Sequence, residues 1–218
     1  MHPTVIIKKD VTNLDKILKP GGLLQAVHTS VFKDIIHDDL RLWCHNNGVY
    51  GIPTIAAIAL IKELFLGRTI EIGAGNGVFG REFDIPSTDS YIQDDPTMKL
   101  LYASIGQPTV EYGANVERID ALDAVAKYKP NTVFASWVTQ IVREDESPDT
   151  PGCMHGVDEL EMIKHIDRYV IFGNERVHAD KKLFKLPDVN VTVHSSQHFI
   201  SRAQYPALNR VWVVERKR

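Results

Sequence analysis

From residue 68 onward, short apolar runs alternate with segments whose apolar positions follow the helical period. The runs predict strands over residues 69–72, 115–119, 132–137, 169–172, 189–194 and 211–215, with a further short strand that ends near Asp89. The intervening segments predict helices over residues 78–83, 97–105, 121–128 and 157–165. Such alternation is typical of a largely parallel sheet with helices on both faces. Only a polar segment, 195–209, joins the last two strands, so we expect these two to form an antiparallel pair.

The first 66 residues show a mainly helical pattern. Apolar side chains recur at helical spacing from Leu24 to Ile36. After a loop over residues 43–54, Thr54 is placed to cap a strongly apolar helix, 55–66, which Gly67 ends. We therefore predict a helical N-terminal extension over residues 1–66, lying over a ligand site, and one α/β domain over residues 67–218.

Composition narrows the class of protein. Of the 218 residues, 44% are hydrophobic, which is enough for a large core, and the net charge of −3 argues against a dedicated nucleic-acid binder. The two cysteines are far apart and the nine histidines show no metal-ligand spacing, so no metal site is predicted. The most apolar run is too short and too charged to span a bilayer, and the first residues lack the apolar segment of a signal peptide. We expect a soluble, cytoplasmic protein.

A glycine-rich turn follows the first strand of the α/β domain. Glycines let the backbone turn tightly and approach a ligand that a Cβ would block, and the start of the next helix offers free N–H groups. Gly75, Gly77 and Gly80 match the G-x-G-x-x-G spacing of a nicotinamide-dinucleotide site, but the strand meets Gly73 directly, two residues before that triplet. A second pattern, E-x-G-x-G-x-G, starts at Glu71 and continues through Gly73, Gly75 and Gly77.

The second pattern resembles motif I of the class I S-adenosylmethionine-dependent methyltransferases. The resemblance covers about residues 68–218 and implies a three-layer Rossmann-like sandwich, with a seven-stranded, mostly parallel sheet and an antiparallel last strand. In that family the glycines pass under the methionine and ribose parts of the cofactor. A dinucleotide site must hold a dianionic pyrophosphate, whereas S-adenosylmethionine carries a sulfonium and an amine, which a carboxylate suits better. The turn residues that the resemblance implies as cofactor-binding are Glu71, Gly73, Ala74, Gly75, Asn76 and Gly77.

Further cofactor contacts are expected at the carboxyl ends of the later strands, where open α/β sheets bind ligands. Asp89, followed by Ser90, falls where the resemblance implies an acid that accepts both ribose hydroxyls. Asp120 and Ala121 resemble the motif that holds the adenine amino group, and Asp120 is equally suited to cap the helix that follows. The resemblance implies that the turn after the fourth strand lies next to the transferable methyl group, so Trp137 there either walls the adenine or the substrate or is a core aromatic at a strand end.

Candidates for acid–base chemistry are few, and no catalytic residue is assigned. Glu175 and His178 follow the fifth strand, where either is suited to orient the acceptor or to take a proton. His155 lies in a long loop and is a second candidate base, although a loop histidine is more often only solvated. Tyr50 precedes the helix that feeds the first strand, and it either folds over the cofactor or is a buried aromatic in an interhelical turn.

The leading hypothesis is a methyltransferase whose cofactor is S-adenosyl-L-methionine. A small-molecule or protein acceptor is favoured, because the charge balance and the missing Pro-Pro motif after Ser136 argue against nucleic acid. One alternative is a non-catalytic protein with the methyltransferase fold that serves as an interaction module. The other is an NAD(P)-dependent oxidoreductase, which lacks a supporting Tyr-x-x-x-Lys pair because Thr132 stands four residues after Tyr128.

Overall fold

The computed structural model describes residues 9–147 and 149–217. Its helices are α1 (Asp15–Leu18), α2 (His37–Asn46), α3 (Ile55–Lys62), α4 (Val78–Phe83), α5 (Pro96–Ser104), α6 (Ala121–Tyr128), α7 (Glu159–Met162) and α8 (Glu175–His178). Its strands are β1 (Gly51–Ile52), β2 (Thr69–Ile72), β3 (Ser87–Asp89), β4 (Val116–Arg118), β5 (Thr132–Ser136), β6 (Arg168–Asn174), β7 (Val189–His194), β8 (Ile200–Ser201) and β9 (Asn209–Arg216). In this described part of the chain, no helix combines the length and the apolar character that crossing a membrane requires.

Seven of the strands form one sheet in the order β4-β3-β2-β5-β6-β9-β7. Strands β2 to β6 run parallel to one another, and β9 runs antiparallel to both of its neighbours, β6 and β7. A mostly parallel seven-stranded sheet that ends in a reversed hairpin is the fold of the class I methyltransferases. The predicted three-layer sandwich is therefore confirmed.

The core lies on both faces of this sheet. Alternate side chains of the central strands point to opposite faces, so Phe134 of β5 and Phe172 of β6 belong to one apolar cluster, whereas Ile70 and Val133 belong to the other. Helices α2, α3 and α4 cover the first face, and α6 and α7 cover the second. Because both faces are buried, the central strands are continuous apolar runs, which is why the sequence pattern locates them well.

The segment between residues 24 and 36 differs from the predicted helix. It contains only the 3₁₀ turn Thr29–Phe32, and the first long helix begins at His37. Val27 instead pairs with the segment at Thr54, where Ile55 N–H donates to the Val27 carbonyl at 3.0 Å. Backbone groups that a helix would use are thus taken by a distant part of the chain, and this tertiary pairing overrides the local pattern.

The end of the N-terminal region forms a small ribbon that the sequence pattern does not reveal. Within the predicted loop 43–54, the two residues of β1 pair antiparallel with β8, far along the chain. Thr54 caps α3 as predicted, because its hydroxyl oxygen accepts the Ala57 N–H at 3.0 Å. The division of the chain into parts 1–66 and 67–218 stays a prediction.

Helix α5 stands apart from the core. None of its residues is buried, and Leu100 is 73% exposed. Asp95 caps its first turn by accepting the Thr97 N–H at 2.8 Å. On the opposite side, Met98 and Tyr102 line the cavity described below.

Candidate functional site

Three left-handed glycines build the turn between β2 and α4. Their φ angles are 58° at Gly73, 53° at Gly75 and 67° at Gly77. A Cβ on Gly73 would lie 2.5 Å from Cγ2 of Val138, and one on Gly77 would lie 2.6 Å from Cγ2 of Val116. Backbone conformation and close packing therefore both require glycine here.

Glu71 is buried near the end of β2, and its side chain forms hydrogen bonds with both α4 and β3. Its Oε2 accepts a hydrogen bond from Gly80 N–H at 2.8 Å and another from the Ser87 hydroxyl at 2.9 Å. Burial raises the pKa of Glu71 to about 8, against the opposing effect of these hydrogen bonds. At neutral pH the carboxyl is therefore mostly protonated, and a cation brought close to it would favour the ionised form.

Asp89 ends β3 and reaches the same turn. Its Oδ2 accepts the Gly75 N–H and its Oδ1 accepts the Tyr91 N–H, both at 2.9 Å. Burial raises the pKa of Asp89, and the two backbone hydrogen bonds oppose that effect. Each oxygen keeps a second lone pair, so the carboxylate can still accept from a ligand.

The backbone donors of the turn are largely used within the protein. Ala74 N–H donates to the Thr88 carbonyl at 3.0 Å, and Val78 N–H donates to the Asn76 side chain at 3.1 Å. Gly75 and Gly80 donate to the two carboxyl groups described above. The turn therefore offers a ligand acidic side chains in place of a row of free N–H groups.

A cavity of about 260 Å³ opens at the carboxyl ends of β2, β3 and β5. It lies where open α/β sheets bind ligands, and residues of the N-terminal region close one side of it. Sequence-predicted residues that line it together are Tyr50, Glu71, Gly73, Ala74, Gly75, Asn76, Asp89, Ser90, Trp137 and His155.

Five other predicted residues do not line this cavity. They are Gly77, Asp120, Ala121, Glu175 and His178. Asp120 is exposed and caps α6 by accepting the Leu122 N–H at 3.0 Å, with Ala121 as the first helical residue. Glu175 accepts from the Arg210 guanidinium at 2.7 Å at the start of α8. Of the two roles predicted for Asp120, the structure therefore shows the helix cap.

Several lining residues were not anticipated from the sequence. Tyr112 is the clearest, because its ring stacks on that of Tyr91 with centroids 3.9 Å apart. Others lie on the β3 side of the cavity or on α5, among them Ile92, Gln93, Met98, Tyr102 and Val110. These residues belong to short turns, loops and an exposed helix without clear periodicity, so no local pattern in the sequence marks them.

The turn after β5 carries backbone strain beside the cavity. Trp137 has a φ of 63°, an uncommon conformation for a bulky residue, and its N–H donates to the Phe172 carbonyl at 2.8 Å. The next residue, Val138, is held by its carbonyl, which accepts from Lys181 Nζ at 3.0 Å. Lys181 also forms a fully buried ion pair with Glu159 at 2.7 Å. The ion pair with Glu159 therefore holds Lys181 in position, and Lys181 in turn anchors the Val138 carbonyl in the turn after β5.

His178 lies behind Trp137, away from the cavity. Their rings meet edge to face with centroids 5.4 Å apart, and Nδ1 of His178 accepts the Asn174 N–H at 3.1 Å. Burial lowers the pKa of His178 to about 4, helped by the positive charge of Lys181. His178 is therefore a neutral supporting side chain in this structure.

Two arms of a loop, 139–142 and 152–157, bring His155 and Cys153 to the cavity. Val142 N–H donates to the Cys153 carbonyl at 3.0 Å, and Cys153 N–H donates to the Gln140 carbonyl at 3.1 Å. A Cβ on Gly156 would lie only 2.2 Å from that Gln140 carbonyl oxygen. The arms are thus packed backbone against backbone.

No protein-family model matches the sequence, and a search of curated proteins gives no match. Among solved structures, the chain is similar to an rRNA methylase from Streptococcus thermophilus, with 9% identity and a TM-score of 0.40 over 75% of this chain and 96% of that one. It is also similar to a precorrin-6y C5,15-methyltransferase from Geobacter metallireducens, with 13% identity and a TM-score of 0.37 over 77% and 90% of the two chains. A third similar structure is the O-methyltransferase TomG from Streptomyces achromogenes in complex with SAM, with 14% identity and a TM-score of 0.36 over 75% and 78%. The chemistry of the cavity is therefore the basis for assigning a function.

Proposed function

We propose that the protein is an S-adenosylmethionine-dependent methyltransferase. The observation that carries this proposal is the pair of carboxyl groups, Glu71 and Asp89, that take up N–H donors of the glycine turn. A turn arranged in this way presents acidic groups to its ligand. It suits a cofactor with a sulfonium and an amine, because a cation brought close to a buried carboxyl group favours its ionised form and is then attracted to it.

The same observation argues against a nicotinamide dinucleotide. A pyrophosphate is bound by free N–H groups at the start of a helix, and in this turn two carboxyl groups already accept such N–H groups. Gly75 and Gly80, two of the three glycines in the dinucleotide spacing, donate to Asp89 and Glu71 respectively. The third, Gly77, donates to the Ala74 carbonyl at 2.9 Å.

The residues present fit S-adenosylmethionine. Asp89 has lone pairs for the ribose hydroxyls, and Ile92, Val110 and Tyr112 offer an apolar and aromatic wall for the adenine on the β3 side. Glu71 lies at the turn, where the positive part of the cofactor would be held. The bound cofactor supplies an activated methyl group, so the protein's main task is to position the acceptor in line with it.

Calorimetric titration with S-adenosylmethionine, S-adenosylhomocysteine and NAD⁺ tests the proposal. We expect both sulfur ligands to bind and NAD⁺ to give no heat of binding. Binding of NAD⁺ with no response to the sulfur ligands would refute the proposal. Turnover is then sought with radiolabelled S-adenosylmethionine and candidate acceptors, since cofactor binding without any transfer would favour the interaction module.

A matched pair of glycine variants locates the site. Gly75→Leu places a side chain in the cavity, and we expect it to reduce cofactor affinity at least tenfold. Gly21→Leu is the control, because Gly21 also has a positive φ, 76°, but a Cβ there would meet nothing within 4 Å. Equal affinity of the two variants would show that the cofactor binds elsewhere.

A further inference from the structure

Strand β7 is the last strand of the seven-stranded sheet. It has β9 on its inner side and, in the described part of the chain, no strand on its outer side. The strand is six residues long, and Asn190, Thr192 and Val193 are exposed, the last to 51%. A free edge of this length offers a row of main-chain N–H and C=O groups to another strand.

The two edges of the sheet differ in how they resist such pairing. Strand β4, at the opposite edge, has three residues, and two of them, Glu117 and Arg118, are charged. Strand β7 contains no proline and no Asp, Glu, Lys or Arg. Short length, charge and proline are the features that keep edge strands from pairing with other chains. Strand β7 has none of them.

The unpaired main-chain groups of β7 belong to alternate residues. In an antiparallel pair, residues that exchange hydrogen bonds with the neighbouring strand alternate with residues whose N–H and C=O point away from it. Asp188 is of the first kind, because its carbonyl accepts the Lys217 N–H at 2.8 Å. The even-numbered residues of β7 therefore bond to β9 as well, and the outward groups belong to its three valines, Val189, Val191 and Val193. Over residues 9–147 and 149–217, these outward groups have no hydrogen-bond partner.

We propose that β7 is a self-association edge, which pairs antiparallel with β7 of a second copy of this chain. The twofold axis passes through Val191, so that Val191 faces its own copy and Val189 faces Val193 of the second copy. This register brings all three outward valines into hydrogen-bonded pairs, and each pair exchanges two main-chain hydrogen bonds. Moving the axis to Asn190 or Thr192 leaves one outward valine without a partner inside the strand.

The side chains fit a second copy in this register. On one face Val193, exposed in the single chain, lies against Val189 of the copy. On the other face Asn190 lies opposite Thr192, and the exposed Asp188 lies opposite His194, where its carboxylate can accept from the imidazole. Apolar, polar and charged positions thus meet their complements, which selects a second copy as the occupant. The proposal is independent of the proposed function, because β7 does not line the cavity.

Sedimentation equilibrium of the full chain over a series of concentrations tests the association. We expect a monomer–dimer equilibrium that Val193→Lys weakens by at least about tenfold, because a lysine on an edge strand blocks pairing. Leu100→Lys is the control, since Leu100 on α5 is 73% exposed and lies away from the edge, and it should leave the equilibrium unchanged. A chain that stays monomeric at every concentration, or a dimer that Val193→Lys does not weaken, overturns the proposal.

A charge exchange tests the register. His194→Asp places two carboxylates opposite each other, and we expect it to weaken the dimer by about threefold or more. Combining it with Asp188→Lys in the same chain restores opposite charges and should recover the lost affinity. A double variant that associates no better than His194→Asp overturns the register centred on Val191.

Amide hydrogen exchange followed by NMR tests the location in the unaltered chain. The N–H groups of Val189, Val191 and Val193 should exchange rapidly at low concentration and become at least about tenfold more protected as the dimer forms. Those of Asn190 and Thr192 should be protected at every concentration, because they bond to β9. Dimer formation without added protection of the three valines overturns the proposal.

Discussion

Replacing Glu71 by glutamine should make the stability of the protein less dependent on pH. The variant keeps an oxygen that can accept from Gly80 N–H and the Ser87 hydroxyl, and it has no charge to bury. In the wild type, the buried carboxyl has a pKa of about 8, compared with 4.5 for an ordinary glutamate. Between these values the folded protein holds a proton that the unfolded chain has released, so its stability falls as pH rises.

The size of the effect follows from the two pKa values. At about 1.4 kcal/mol per pH unit, their separation corresponds to about 5 kcal/mol over the whole range. Between pH 5 and pH 8, where titration is partial at both ends, the free energy of unfolding of the wild type should fall by about 3 kcal/mol because of this group. Glu71→Gln should show no such fall. The difference in stability between the two proteins therefore grows by about 3 kcal/mol over this interval.

Urea unfolding followed by tryptophan fluorescence at pH 5, 6, 7 and 8, without cofactor, measures this difference. Glu63→Gln is the matched control, because it makes the same substitution at an exposed side chain at the end of α3. A difference between wild type and Glu71→Gln that is constant with pH would refute the reasoning, since it would mean that the carboxyl is not desolvated as the structure indicates.

Three further predictions concern other buried groups and the cofactor. At pH 7, binding of S-adenosylmethionine should release protons from wild type but not from Glu71→Gln. Proton release is measured as a heat of binding that varies with the ionisation enthalpy of the buffer. Equal release from both proteins would contradict the role of Glu71. Lys181→Met should cost about 3–5 kcal/mol in urea unfolding, because it leaves the buried Glu159 without its counter-ion, and the double variant with Glu159→Leu should recover most of it. His178→Gln should reduce the loss of stability between pH 6.5 and pH 4 by about 2–3 kcal/mol, because the neutral buried ring resists protonation until the pH falls to its lowered pKa. An unchanged acid transition would show that another group is responsible.

The sequence predicts the central sheet well for a physical reason. Strands β2 and β7 coincide with the predicted runs 69–72 and 189–194 because apolar β-branched residues interrupted by turns leave little freedom in placing them. The end of β6 was predicted too early, at residue 172, because polar residues follow. In the structure Asn174 remains in the strand, and its side chain donates to that of Asn209 at 2.9 Å, so a buried polar pair extends the strand where composition suggests a turn.

The sequence anticipates part of the cavity lining, and which part depends on how far apart along the chain the interacting residues lie. The glycine turn with Glu71 is local in sequence, and Asp89 follows from its place at a strand end. The ribbon is different, since β1 and β8 are two residues long and lie about 150 residues apart, and neither has a period of its own. Tyr112 reaches the cavity only because tertiary structure brings it there, so no local pattern marks it.

The exposed helix α5 has a consequence for how ligands enter. The loop arms on one side of the cavity are packed backbone against backbone, whereas α5 on the other side has no buried residue. Local opening costs least where few apolar contacts are lost, so α5 should detach at a much lower free energy than the sheet unfolds. The amides of α5 should then exchange with deuterium early and become protected when a ligand fills the cavity against Met98 and Tyr102. This helix would thus set how fast cofactor and product leave. Substitutions on its outer face would change the residence times of both ligands, although these side chains contact neither of them.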